Sequence, residues 1–364
     1  MYRILAINPG STTTKIAVFE DELEIFKSRV VHTAEELAPF SSVQEQLEFR
    51  AAIVRKTIAE AGFSIADINV FVGRGGGILA CSGGTYRVTD LLLDHAERGV
   101  SGQHPAQLAS QICRQFADEY GGHAFVVNPP DVDELADISR VAGLRGIYRQ
   151  SHVHALNQKE IAIRFCAARG FKYTEANLIV CHLGGGISIT AHKNGRMIDT
   201  TDNIRGSGPM APTRAGELPT ADVVELAYSG KYTKAELKSR LSHHGGLLDI
   251  FGTADAREIR ALAEKGDKTA GLVMAGMSYQ IAKSIAAMAA ALKGKVDAII
   301  LTGGLANEET SNALIREHVG WIAEVVEMPG EFELEALCAG ALRVLRGEEA
   351  EVVYTGEPVW EVLY

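Results

Sequence analysis

Paired cysteines are missing. The five present (Cys81, Cys113, Cys166, Cys181, Cys338) are odd in number, scattered and without a CxxC pair, which argues against a disulfide framework and against a thiolate zinc site. Basic charge is also short: 36 Lys and Arg stand against 46 Asp and Glu, a formal net charge of -10. A general nucleic-acid or anionic-membrane surface would need the opposite balance. Long apolar runs are absent too. The most apolar stretch, 270–292, is interrupted by Ser278, Gln280, Lys283 and Ser284 and reads as a buried amphipathic helix rather than a membrane span. No basic segment followed by an apolar core opens the chain. The expectation is a soluble cytoplasmic protein with reduced thiols, and with neither nucleic acid nor membrane among its partners.

Apolar residues and glycine are plentiful: 46% of 364 residues are apolar and 37 are glycine, enough for two domains with a cleft between them. The chain is organised around residues 2–15, YRILAINPGSTTTK, where a buried strand breaks into a turn of glycine and hydroxyls ending in lysine. Residues 15–19 return as a second strand. The tip of this hairpin offers the N–H groups of Gly10 and Ser11, the hydroxyls of Ser11 to Thr14 and the Lys15 ammonium, a combination suited to phosphate. The pattern recurs at 177–200: NLIVCHL is a buried strand, Gly184, Gly185 and Gly186 form a turn, 188–193 returns, Asn194-Gly195 marks a hairpin and 196–200 is a third strand. Two such hairpins, one near the start of each domain, predict a duplicated fold with a phosphate held between facing tips.

Between and after these hairpins, buried strands end in polar or glycine-rich loops. NVFVG runs into Arg74, AFVVN into Pro129, Pro130 and Asp131, and DAIIL into Thr302, Gly303 and Gly304. Strands alternating with helices, including helices at 43–61, 101–120, 155–169 and 268–293, argue an α/β layout with ligands at the strand ends. Weak periodicity over 136–151 places the domain boundary there. The first domain is then 1–150, joined by the C-terminal helix and tail at about 338–364, and the second is 151–337. The loop DNIRGSGPMAPTRAG contains a formal GxGxxA (Gly206, Gly208, Ala211), but Pro209 and Pro212 break the helix a dinucleotide fingerprint requires. Its notable residue is Arg214.

Taken together, INPGSTTTK, VGRGG, HLGGGIS, MAPTRAG, TADAR and TGGLAN, in this order over nearly the whole chain, resemble the acetate and butyrate kinase family. That family is a branch of the sugar kinase, heat-shock ATPase and actin superfamily. The triple threonine after Ser11, Gly185 where acetate kinases usually carry asparagine, and the shorter chain are closer to the butyrate branch. The resemblance implies two duplicated ribonuclease H-like (actin-like ATPase) domains with a nucleotide cleft. It also implies ATP/ADP and Mg2+ as cofactors, a short-chain carboxylic acid as substrate and a homo-oligomer, a dimer or larger. Butanoate is the expected acid; branched acids such as isobutyrate and isovalerate, propionate or acetate are the alternatives, and an ATP-switched scaffold is the non-enzymatic one.

Carried over residue by residue, the resemblance makes Asn8, Ser11 and Lys15 the positioners of the transferring phosphoryl group and Arg74 and Arg214 the guanidinium clamps. His182 with Gly184, Gly185 and Gly186 becomes a second phosphate holder. Asp255, Arg257, Gly303, Gly304 and Asn307 fall on the adenosine side. Magnesium falls to Asp131 first and Glu335 second, Glu333 also fitting the metal-side position. The family's catalytic histidine lies in a motif with two histidines four apart. Here RQSHVHALNQ carries His152 and His154 two apart, and both stay open. His104, in a first helical turn, is a further substrate-side residue.

Overall fold

The computed structural model describes residues 1–362. They form two compact units: one of residues 1–133, 155–157 and the stretch from Phe332 onward, the other of 134–154 and 158–331. The tail expected to pack as far as Tyr364 includes Leu363 and Tyr364, which lie outside the described residues.

In the first unit the strands are β1 (Arg3–Pro9), β2 (Thr13–Glu20), β3 (Leu23–Val31), β4 (Val70–Gly73), β5 (Thr85–Arg87) and β6 (His123–Val127), in the sheet order β3-β2-β1-β4-β6-β5. β1 pairs antiparallel with β2 and parallel with β4, and β4 pairs parallel with β6. β1 is buried on both faces after its first residue, as its unbroken apolar run requires, whereas the edge strand β3 is largely exposed and charged. Helix Glu333–Leu345 covers one face, its Leu337 and Ala341 packing with Ile4, Ala6, Val72 and Phe125. Helix Leu108–Tyr120 covers the other, with Phe116 edge-on to Phe71 at 5.8 Å. Sequence periodicity started this helix at 101. In the structure Gly102 takes a φ of 134° and Pro105 opens a 3-10 turn, so α geometry begins only at Leu108.

The second unit repeats the plan with β7 (Asn177–Leu183), β8 (Ile187–Lys193), β9 (Arg196–Thr200), β10 (Ala298–Gly303) and β11 (Val325–Pro329), ordered β11-β10-β7-β8-β9. β7 pairs antiparallel with β8 and parallel with β10, matching β1 with β2 and β4. In both units the second strand slips register against the third, at Val18/Phe19 and at Ala191/His192. The duplication read from the two hairpins is therefore a duplication of whole sheets. Helix Lys268–Ala291, capped by Asp267 on the Ala270 N–H, buries Met274, Met277, Ile281, Ile285 and Met288 against this second sheet. Among the described residues no helix is long and apolar enough to cross a membrane.

Parallel pairing brings the strand ends that matter to one edge of each sheet. Ile7 lies opposite Gly73 and Gly73 opposite Val126, so Asn8, Arg74 and the loop to Asp131 share an edge. Thr302 lies opposite His182, which places the turn after Leu183 beside Gly303. The approach there is close: Gly303 sits at φ 87°, and a Cβ on it would lie 2.4 Å from the Leu183 carbonyl oxygen.

Candidate active site

In the first unit, the side chains at the strand ends converge on one carboxylate. Glu333 Oε2 accepts from Asn8 Nδ2 at 2.7 Å and from Lys15 Nζ at 2.9 Å, and Glu333 Oε1 lies 3.9 Å from Arg74 Nη1. Glu335, the metal-side residue favoured from the sequence, is instead 2.7 Å from Lys27 on the outer strand β3. Positions two apart in a helical first turn point about 200° apart, so only one of them can reach this cluster. Docking of helix Glu333–Leu345 on β1 selects Glu333.

Asp131 stands on the same edge. Its Oδ1 accepts the Ser101 hydroxyl, while its Oδ2 is buried without a partner. Burial pushes the carboxyl up to about 6, against the opposing pull of the Ser101 and backbone hydrogen bonds and of the Arg74 charge. A buried carboxylate oxygen of this kind fits a cation. Among the described residues no three His, Cys, Asp or Glu gather as a metal cage. His104 is held down to about 4 by burial and by the Arg74 and Arg50 guanidinium groups. Its Nδ1 accepts the Ala106 N–H at 3.1 Å, so the single proton of the neutral ring sits on Nε2.

The hairpin tip has a support that the sequence reading missed. Arg50, fully buried, donates to the carbonyl of Thr13 at 3.0 Å, the carbonyl of Ser11 at 3.3 Å, the Thr14 hydroxyl at 3.1 Å and Gln46. None of these partners is a carboxylate, and burial lowers the guanidinium to about 10. Arg50 thus fixes the tip carbonyls from behind, leaving exposed Ser11 at the front. The signal was there: Arg50 shares the buried helical face of Ala51, Val54 and Ile58.

In the second unit the glycine turn is packed against the arginine loop. A Cβ on Gly186 would fall 1.9 Å from Asn203 Oδ1, and the Gly185 carbonyl accepts both the Thr213 N–H at 3.1 Å and its hydroxyl at 2.8 Å. Arg214 Nε donates to the Asn203 carbonyl at 3.2 Å and Arg214 Nη1 to the Thr213 hydroxyl. All of these acceptors are neutral, so the Arg214 charge is left for an anionic ligand. His152 Nδ1 lies 3.1 Å from Asp202 Oδ2.

His154 is engaged differently. Its ring stacks on His182, centroids 3.8 Å apart, and its Nδ1 lies 2.8 Å from Ser188 Oγ. Behind Ser188 runs a chain of set polarity. Gln158 Nε2 donates to the Ser188 carbonyl at 3.0 Å and hydroxyl at 2.8 Å, so Gln158 Oε1 must accept from His192 Nε2 at 3.1 Å, and His192 Nδ1 accepts from the Tyr173 hydroxyl at 2.7 Å. Burial, with Lys159 nearby, lowers His192 to about 3. Since the folded value lies below the ordinary 6.5, its stabilisation is full above about pH 6.5 and is lost as pH falls toward the folded value, on the order of 2 kcal/mol by about pH 5. Urea unfolding at pH 7.5 and 5 should therefore show a drop that His192→Gln reduces; an unchanged drop in the variant would refute the assignment.

The residues expected on the adenosine side all belong to the second unit. Asp255 caps helix Ala256–Glu264 and pairs with exposed Arg257, whose hydrogen bonds and charge pull the carboxyl down to about 2. Asn307 Nδ2 donates to the Gly304 carbonyl at 3.0 Å. A cavity of about 240 Å³ opens between this helix and helices Lys268–Ala291 and Glu309–Val319, lined by Arg260, Met274, Ser311 and Leu314 among others.

Residues 145–334 match the model of the acetokinase family. A protein described as probable butyrate kinase 2 from Caldanaerobacter subterraneus subsp. tengcongensis is 46% identical over 354 residues, covering 97% of this chain and all of that one. Among solved structures, an acetate kinase from Porphyromonas gingivalis superposes with a TM-score of 0.75 at 19% identity, covering 95% of this chain and 100% of that chain. A propionate kinase from Francisella tularensis does so at 0.72 and 19%, covering 93% and 98%.

Proposed function

The chain belongs to the acetokinase family and is built on the actin-like ATPase fold, and from that premise we propose that it transfers a phosphoryl group reversibly between ATP and butanoate, giving butanoyl phosphate and ADP. The observation that carries the choice of acid is the 46% identity, over 97% of the chain, to the probable butyrate kinase.

Such a reaction needs no general base, because a carboxylic acid of pKa about 4 to 5 is already ionised at neutral pH. A carboxylate oxygen attacks the terminal phosphorus in line, the bond to the ADP oxygen breaks, and the barrier is the repulsion of one anion by another. Arg74 and Arg214 answer it, since the guanidinium fork matches carboxylate and phosphoryl oxygens. Asn8, Ser11 and Lys15 position the transferring group. His182 and the bare backbone of Gly184, Gly185 and Gly186 hold phosphates, and Asp255, Arg257, Gly303, Gly304 and Asn307 lie on the adenosine side. Asp131 and Glu333 would hold magnesium, whose part is to neutralise phosphate charge. Of the two open histidines, His152 is the one that faces the phosphoryl group. His154 is occupied by Ser188 and by the stack on His182, and it braces the latter.

Purified protein with ATP, magnesium and butanoate should yield an acyl hydroxamate when hydroxylamine is present. Propionate, acetate, isobutyrate and isovalerate in the same trap rank the acids. Silence with all five would overturn the proposal, and a stronger signal from another acid would reassign the substrate.

A further inference from the structure

Asp202 is a buried carboxylate, 8% exposed, in the glycine-rich loop after β9. Its Oδ1 accepts the backbone N–H groups of Ile204 at 2.8 Å and Arg205 at 2.7 Å, which fixes the plane of the group and aims Oδ2 at His152 Nδ1, 3.1 Å away. A ring nitrogen that faces a carboxylate carries the proton, so Nδ1–H donates and Nε2 is left for a ligand. The hydrogen bonds to the ring and to Ile204 and Arg205 hold the Asp202 carboxyl below its ordinary range although burial alone would raise it. The next residue ties in the clamp: the Asn203 N–H donates to the His152 carbonyl at 3.3 Å, and the Asn203 carbonyl accepts Arg214 Nε at 3.2 Å. One dipeptide therefore holds His152 and Arg214 at once.

We propose that Asp202 is a positioning residue for phosphoryl transfer, fixing the tautomer and direction of His152 and, through Asn203, its register with Arg214. The proposal rests on the reading of His152 as the histidine that faces the phosphoryl group. The carboxylate on Nδ1 fixes the plane of the ring and directs Nε2 to the phosphoryl group. An amide in its place, with its oxygen still on Ile204 and Arg205, turns its NH2 toward Nδ1. The ring must then accept at Nδ1, which reverses the hydrogen bond. The other charges on these segments are engaged elsewhere or shared: Arg149 is on Asp199 at 2.8 Å, Arg205 on Gln150 at 3.1 Å, and Arg214 is held by the same loop.

The test uses the full-length enzyme as Asp202→Asn, His152→Gln and the double variant, with kcat and KM for butanoate and Mg-ATP measured from about pH 5.5 to about 9 and melting curves as the folding control. Asp202→Asn should lower kcat about 10- to 100-fold with the ATP KM within about twofold. The double variant should be no slower than His152→Gln, because the two act as one unit. If Asp202→Asn slows the His152→Gln enzyme by its own full factor, Asp202 acts on loop shape alone and the inference falls. If His152→Gln by itself turns over like the wild type, the underlying reading of His152 falls instead. Histidine 1H–15N spectra of the unmodified protein serve even if Asp202→Asn does not fold: a protonated Nδ1 on His152 is expected, and a bare Nδ1 overturns the inference.

Discussion

Glu333→Gln should abolish most turnover, lowering kcat by roughly 10²- to 10⁴-fold, while Glu335→Gln should leave it within about threefold of the wild type. Glu333 is where Asn8, Lys15 and Arg74 meet, at 2.7, 2.9 and 3.9 Å. Its removal has several consequences. The Lys15 ammonium and Arg74 guanidinium lose the charge that orients them, the Asn8 amide must share the one remaining acceptor oxygen with Lys15, and the proposed magnesium site loses one of its carboxylates. Glu335 holds only Lys27, in a pair whose side chains are 47% and 27% exposed. An ion pair of that kind contributes at most about 1 kcal/mol to stability and touches nothing at the strand ends. Steady-state rates on the two variants, side by side, decide the matter. A silent Glu333→Gln, or an inactive Glu335→Gln, would return the role to the residue favoured from the sequence.

Arg214→Ala is expected to lower kcat/KM for the acid by about 10³- to 10⁴-fold while ADP affinity changes by less than about threefold. The guanidinium is half-buried and anchored on the Asn203 carbonyl and the Thr213 hydroxyl, neutral groups that aim it without cancelling it. Burial lowers its pKa, and a guanidinium stays a cation at neutral pH. Arg214→Lys should recover only a small part of the loss, since an ammonium cannot span two oxygens as the fork does. Isothermal titration with ADP beside the kinetic assay separates transition-state charge from nucleotide binding. Loss of ADP affinity in step with turnover would make Arg214 a binding residue. Unchanged phosphoryl transfer would remove it from the chemistry.

The features legible in the sequence were those written in short contiguous patterns. Strand, glycine turn and strand at 2–20 and at 177–200 announced both hairpins and, from them, the duplicated sheets. The Asn194-Gly195 turn is present as read, with φ of 52° and 78°. Features that depend on distant partners were out of reach. The three-residue β5 pairs with β6, and Tyr86 is bridged by Val352 from the tail, too short and too nonlocal to leave a period. Glu333 and Glu335 both fit the metal-side position in the sequence, with Glu335 favoured, and only docking of their helix on β1 sets Glu333 among the strand-end side chains and Glu335 on Lys27. His152 and His154, two residues apart, part company only because one faces Asp202 and the other Ser188. Arg50 reads as a solvated helix residue unless its buried neighbours are counted.

The central claim is direct transfer from ATP to an ionised carboxylate, and 31P NMR of the protein with Mg-ATP and butanoate observes it without a trap or coupling enzyme. An acyl phosphate resonance should grow in step with ADP, and adding butanoyl phosphate to ADP should regenerate ATP. ADP and inorganic phosphate appearing at the same rate with or without the acid, and no acyl phosphate in either direction, would contradict it.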